Sequence, residues 1–352
     1  MQIDIHFYGI YCLARAAGIT AEIANKIATA SQFVNDANAI NGALIENKKC
    51  FRPVRTSFKG IQPPYHERDA WRCWIPFHFL PGNTPENGNF EEKIVCQKNS
   101  LIAQKVALFA LEEKHKDIRP YFVGITAHAY ADTFSHYGFS GLPHKHNGIQ
   151  TDSIKLDKNH QGPITDYLIA RSDTFKEKYA SEKALLPIGH ANVASYPDRP
   201  YLKWGYKYSA NGTGKVVWRD NTSDYMEACE CLFYFFLEYS KKYPEACSQD
   251  EPKKWSDISS IVRFILGVEG PCDQRIPVWK KNLTSGAFGT LTPVDQQLHY
   301  DKHQWQLNRS IWECEETGEP INQTNAYLFY QAARTYRRFI LEELLIEEGI
   351  LV

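Results

Sequence analysis

The reading of this chain turns on Tyr121-Phe-Val-Gly-Ile-Thr-Ala-His128-Ala-Tyr-Ala-Asp132-Thr-Phe-Ser-His136. Arg119-Pro120 precedes it, and proline in a first turn is a helix-entry signal. A helix is therefore predicted over 121–137. His128, Asp132 and His136 fall at i, i+4 and i+8, so their side chains form one stripe, each beside the next. Ala127, Ala129, Ala131 and Phe134 are small or apolar, which places the stripe in a crowded interior. Two imidazoles and a carboxylate converging there are a ligand set that zinc takes. A carboxylate between two histidines also suits a bridge between two metals. The competing structural reading is a solvent-facing polar stripe, and the apolar filling argues against it.

Working outward, helical periodicity is predicted at 8–34, broken at Gly18-Ile-Thr20 with Thr20 as the second N-cap. It returns at 100–115, 163–178, 223–243, 254–267 and 323–348. Residues 48–98, 138–160, 187–220 and 268–321 read as loops, and Lys215-Val-Val-Trp218 is the best short strand. The expected fold is all-α, a multi-helix bundle with long loops and little β structure. A single domain over 1–352 is expected, with 207–321 as a candidate insertion or lid.

Composition narrows the function classes. Of 352 residues, 43% are hydrophobic and 23% charged, which excludes wholesale disorder. Lys+Arg is 40 against Asp+Glu 41, so no global field draws the chain to nucleic acid or an anionic membrane. No apolar run approaches a membrane span, so no stable membrane insertion is expected. The opening lacks a basic segment and a long apolar run, and a cytoplasmic protein is expected. The nine cysteines contain no Cys-x-x-Cys pair and read as reduced thiols. An HD-type phosphohydrolase would need an adjacent His-Asp pair, which the chain lacks.

Further candidate ligands recur along the first 200 residues: Asp4 and His6, Asp36 in Ser-Gln-Phe-Val-Asn-Asp36, His78 in Phe-His78-Phe-Leu, and His190 with Asp198. Their order, with His128-x-x-x-Asp132 and His136, resembles the zinc-dependent phospholipase C and single-strand-specific fungal nuclease superfamily. The opening His-Phe-Tyr-Gly-Ile-Tyr and the Ser-Gln-Phe-Val-Asn-Asp stretch also resemble a family of uncharacterised bacterial proteins.

The superfamily resemblance implies a phospholipase C/nuclease-like helical fold holding two or three Zn2+ ions, with other divalent cations admissible. It implies metal ligation by His6, Asp36, His78, His128, Asp132, His136 and His190, with Asp4 and Asp198 as candidate replacements. Asp132 would bridge and Asp36 would orient the nucleophile, which makes both catalytic candidates. The implied reaction is hydrolysis of a phosphoester by metal-activated water, and a phosphodiester of nucleic acid, nucleotide or phospholipid head group is favoured. Arg199, Tyr201, Lys203 and Trp204 are candidate substrate-binding residues, since aromatics stack bases and cations meet phosphate. Core packing is the alternative for these aromatics.

Three departures stand out, and the first is that the superfamily spaces its second His six residues after the Asp, whereas His136 lies four after Asp132. The superfamily uses the free amino group of an N-terminal Trp as a ligand, whereas this chain has five residues before His6. That ligand is therefore expected to be missing, with Asp4 replacing it from an extended segment. The last His is followed four residues on by an acid in the superfamily and by Ala194 here, so Asp198 serves only if its loop folds back. The alternative function is a non-catalytic binding or assembly module with a structural metal cluster.

Overall fold

Every residue of the helix Arg119–His136 is buried. A helix buried all round must run through the centre of a molecule, and its neighbours bear this out. The helices Ala21–Asp36, Trp71–His78, Leu101–Leu111, Asn221–Lys242 and Asn325–Arg338 all pack on it. The closest approach is to Ala21–Asp36, where glycine is required. A Cβ on Gly124 would lie 2.3 Å from the Ile27 carbonyl oxygen and 2.7 Å from the Ala30 Cβ. The computed structural model describes residues 1–39, 43–45, 49–51, 53–58, 70–160, 166, 187–209, 214–318 and 320–352. The predicted helix over 163–178 lies outside the described residues, apart from position 166.

The N-terminal reading holds. A π-helical turn, Asp4–Gly9, runs directly into the helix Ile10–Ala16. Gly18 breaks the path at φ +88°, a conformation that favours glycine. Thr20 Oγ1 then accepts a hydrogen bond from the Ile23 N–H at 3.4 Å and starts the next helix.

All four regions read as loop contain regular structure. Trp71–His78 is helical despite Pro76. Cys272–Thr284 and Leu307–Thr317 are helices within 268–321. On Cys272–Thr284 the buried residues are Arg275, Trp279 and Leu283. That stripe is one residue wide and begins with a charged side chain, so its period is faint in the sequence. The strands Ile149–Leu156, Lys203–Tyr208 and Val217–Asp220 form an antiparallel sheet. Ile149 pairs with Tyr208, Leu156 with Trp204 and Lys203 with Asp220, and the first ladder carries a register shift between Gln150 and Lys155. Ala43–Ile45 and Lys49–Phe51 form a separate two-stranded ladder. The protein is therefore predominantly helical, with a small antiparallel sheet as its β structure. The strand read at Lys215–Trp218 overlaps Val217–Asp220, whereas the first two strands escaped detection because they come from distant parts of the chain and find their partners only on folding.

Much of 207–321 belongs to the body of the molecule rather than to a lid. Asn221–Lys242 lies on the central helix, and Cys272–Thr284 lies on the Asp4–Gly9 turn. The sheet builds a second apolar cluster, in which Trp204, Tyr206, Tyr201 and Leu202 meet Phe79 and Phe139. No described helix is long and apolar enough to cross a membrane. Cys12, Cys73, Cys96, Cys229, Cys231, Cys247, Cys272 and Cys314 are free thiols.

Candidate metal centre

The histidine stripe of the central helix meets side chains from three other segments at two carboxylates. His6 arrives from the Asp4–Gly9 turn, His78 from the last position of Trp71–His78, and His190 and Asp198 from the loop before the sheet. Asp132 is the hub and is 1% exposed. Its Oδ1 lies 3.1 Å from His6 Nε2. Its Oδ2 lies 3.2 Å from His128 Nε2, 3.3 Å from His78 Nδ1 and 3.6 Å from His136 Nδ1. Asp198 gathers the outer side: its Oδ1 is 3.4 Å from His136 Nε2, and its Oδ2 is 3.8 Å from His190 Nε2. The Met1 amine sits between the two carboxylates, 2.8 Å from Asp132 and 3.1 Å from Asp198.

Carbonyl oxygens decide which ring nitrogens carry hydrogen, because a carbonyl only accepts. His78 Nε2 donates to the Thr56 carbonyl at 2.8 Å. His136 Nδ1 donates to the His78 carbonyl at 2.8 Å, and His190 Nδ1 donates to the Ala194 carbonyl at 2.8 Å. In the neutral rings the other nitrogen is then a bare lone pair. The lone pairs on His136 Nε2 and His190 Nε2 face carboxylate oxygens, and that on His78 Nδ1 faces both Asp132 Oδ2 and His128 Nε2, each at 3.3 Å. Acceptor against acceptor is unfavourable without a proton or cation between them. A carbonyl fixing the outer nitrogen of a histidine is also the usual support of a metal ligand.

The donor set passes a fit test for metal. Among the described residues, Nδ1 of buried His6 and Nδ1 of buried His128 have no hydrogen-bond partner, while His6 Nε2 faces Asp132 alone. The His6 and His128 rings stack with centroids 3.8 Å apart. Ligands about 2.0–2.1 Å from a tetrahedral zinc lie roughly 3.3–3.4 Å from each other. The nitrogen-to-carboxylate separations for His6, His128, His78 and His136 Nε2, at 3.1, 3.2, 3.3 and 3.4 Å, match that edge. Among the described residues, two groups offer atoms all within 4.8 Å of one another: His6, His128 and Asp132, and His136, His190 and Asp198.

Burial and charge set the protonation. Burial, with His128 beside it, holds His6 down at about 3, against an ordinary imidazole near 6.5. Burial likewise holds His128 and His136 at about 4, although Asp132 pulls the other way. Burial opposes the charge on Asp132, yet the surrounding imidazoles and the Met1 amine keep its carboxyl well below the usual range. Asp198 behaves the same way, with the amine and His190 outweighing burial. Burial also opposes the charge of the amine, but Asp132 and Asp198 raise it to about 10.

Residues 1–344 match DUF6765, a family of unknown function. The chain belongs to that family. Searches of curated proteins and of solved structures find no match for it. Membership of DUF6765 brings no activity with it, so the chemistry of this family member must be read from the site.

The structure corrects the sequence reading at several residues. Asp4 is turned to Arg275, with Oδ2 2.7 Å from Nε, and is not part of the histidine group. The segment is helical rather than extended, and residues two apart on a helix do not face one another. The Met1 amine, rather than Asp4, stands beside Asp132, because the coiled first turn brings residue 1 back beside residue 6.

Asp36 is held by Gln32 Nε2 at 3.2 Å and the Tyr300 hydroxyl at 2.7 Å rather than by the cluster. Asp198 does fold back. Ala194, at φ +48°, turns the loop and supplies the carbonyl that holds His190.

The candidate substrate group disperses. Trp204 and Tyr201 are buried in the second apolar cluster, and the Trp204 indole donates to Asn221 at 3.1 Å. Arg199 is buried against Ser195 and the Tyr201 hydroxyl. Lys203 is exposed beside Asp220. These aromatics are core, as their alternative reading held.

Proposed function

We propose that this protein is a metal-dependent hydrolase of phosphoesters, with zinc as the favoured metal and a phosphodiester as the favoured substrate. The observation that carries the reading is the set of histidine lone pairs aimed at Asp132 and Asp198. Met1, His6, His78, His128 and Asp132 would hold the inner metal positions, and His136, His190 and Asp198 the outer one. Bound divalent ions would supply hydroxide at neutral pH and neutralise phosphoryl oxygens.

The protein's own share is orientation. The carbonyls of Thr56, His78 and Ala194 hold three imidazoles with their lone pairs inward. Asp132, with both oxygens facing imidazoles, would be the shared ligand of the inner positions. Substrate would enter from the outer side, where the His190 and Asp198 side chains are 18% and 15% exposed. The inner side is closed, since His6, His128 and Asp132 are at most 1% exposed. The resemblance to the zinc-dependent phospholipase C and nuclease superfamily supports the same reaction. The arrangement of the former substrate-binding candidates does not support a nucleic-acid groove, and the substrate stays at the level of a phosphoester, whether nucleic acid, nucleotide or phospholipid head group.

The depth of the inner side favours a second reading, a structural metal cluster in a non-catalytic module, because structural zinc sites are saturated by protein. One experiment separates the two: elemental analysis of purified protein, with assays on phosphodiester, phosphomonoester, nucleic-acid and phospholipid substrates. Hydrolysis lost to chelator and restored by zinc is the expected result. Bound zinc without hydrolysis of any of the four classes gives the structural reading, and protein that takes up no metal overturns both.

A further inference from the structure

We infer that the buried Asp4–Arg275 ion pair is a positioning device that holds the first turn of the chain so that the Met1 amine and His6 reach Asp132. The inference rests on the metal-centre reading above. Arg275 lies on Cys272–Thr284, far along the sequence from every candidate ligand. Its Nε is 2.7 Å from Asp4 Oδ2, and its Nη2 donates to Gln2 Oε1 at 2.7 Å. Its Nη1 donates to the Gly270 carbonyl. The Cys272 thiol donates to the same Gln2 oxygen at 2.9 Å. The same helix sets Trp279 against the turn, where a Cβ on Gly9 would be 3.4 Å from the ring. One guanidinium thus grips residues 2 and 4, which lie between the Met1 amine and His6.

Two physical arguments assign this grip to positioning. Terminal residues fray unless tied down, and ligand geometry tolerates displacements of only about 0.5 Å. Further, both side chains of the pair are 1% exposed. A buried ion pair is commonly no more stabilising than apolar residues of the same size, and its best-attested use is to specify register.

The test removes both charges together, so that no buried charge is left unpaired. Asp4→Leu/Arg275→Met is the apolar variant, and Asp4→Asn/Arg275→Gln keeps hydrogen-bonding groups. Modification of the Met1 α-amine by a succinimidyl ester is followed by mass spectrometry on metal-free protein. Zinc affinity is measured by equilibrium dialysis, and folding by circular dichroism. The expected result is a folded protein whose α-amine is modified at least ~10-fold faster. Its zinc affinity should be at least ~10-fold weaker, the scale of losing a ligand's support. Folded variants with wild-type labelling overturn the inference. So does failure of both variants to fold, which would make the pair a requirement of the fold. Faster labelling with unchanged zinc affinity overturns the role but leaves the metal reading standing. Wild-type protein that takes up no zinc removes both.

Discussion

At the scale of single residues, Asp132 and Ala194 carry the sharpest expectations. Asp132 places one carboxylate against four imidazoles and an amine. Asp132→Asn keeps the shape and removes the charge. It should lose most bound zinc and hydrolysis by at least ~10²-fold, the upper scale of losses from disturbing even a ligand's support. Zinc content equal to wild type in that variant, by elemental analysis, would contradict the shared role. Ala194 holds φ +48° and ψ −132°, which only glycine adopts easily. Ala194→Val should cost about 1–3 kcal/mol, the scale of such backbone strain. Ala194→Gly should be neutral or stabilising. Urea unfolding of the pair checks both signs, and a glycine variant less stable than the valine one would refute the strain.

At the scale of elements, the contact between Ala21–Asp36 and Arg119–His136 decides where the stripe sits. Gly124→Ala exposes two opposed effects. Helix propensity favours alanine by about 1 kcal/mol. Overpacking a tight contact costs about 1–3 kcal/mol. A new Cβ would stand 2.3 Å from a backbone oxygen, which cannot swing aside, so the cost should win. A lower denaturation midpoint is expected, and a raised one would show that the helices have room to separate.

The same scale explains what could be read in advance. The central helix was legible from Pro120 at its entry and from the i, i+4, i+8 spacing of His128, Asp132 and His136. The helix Trp71–His78 was hidden by Pro76, and Cys272–Thr284 by its narrow buried stripe.

At the scale of the whole molecule, stability and metal are linked through protons. In metal-free protein His6, His128 and His136 stay neutral down to about 3–4, whereas the unfolded chain takes up protons below about 6.5. Their contribution is therefore complete above 6.5 and is lost as pH falls toward 4. The amine has the opposite sign. Raised from 8.0 to about 10, it contributes fully below 8.0 and loses that contribution as pH rises through 10. Chelator-treated protein should thus be most stable between about 6.5 and 8, with urea midpoints falling on both sides. A midpoint that stays level from pH 6.5 to 4.5 would contradict the neutral buried imidazoles. Adding zinc should raise the thermal midpoint and make it depend on zinc concentration, because ligand that binds only the folded state stabilises it.

The sequence by itself determined the helical class, the His128–Asp132–His136 stripe and the identity of the other histidines that join it. These are local matters, set by periodicity and by chemistry that a side chain carries wherever it lies. Only the tertiary structure decided which carboxylates meet them. Asp4 was drawn away by an arginine about 270 residues later, Asp36 by Tyr300, and the amine of residue 1 was delivered to the hub by a coiled turn. Such choices depend on which distant groups compete for the same charge once water is excluded, and no spacing along the chain records that competition.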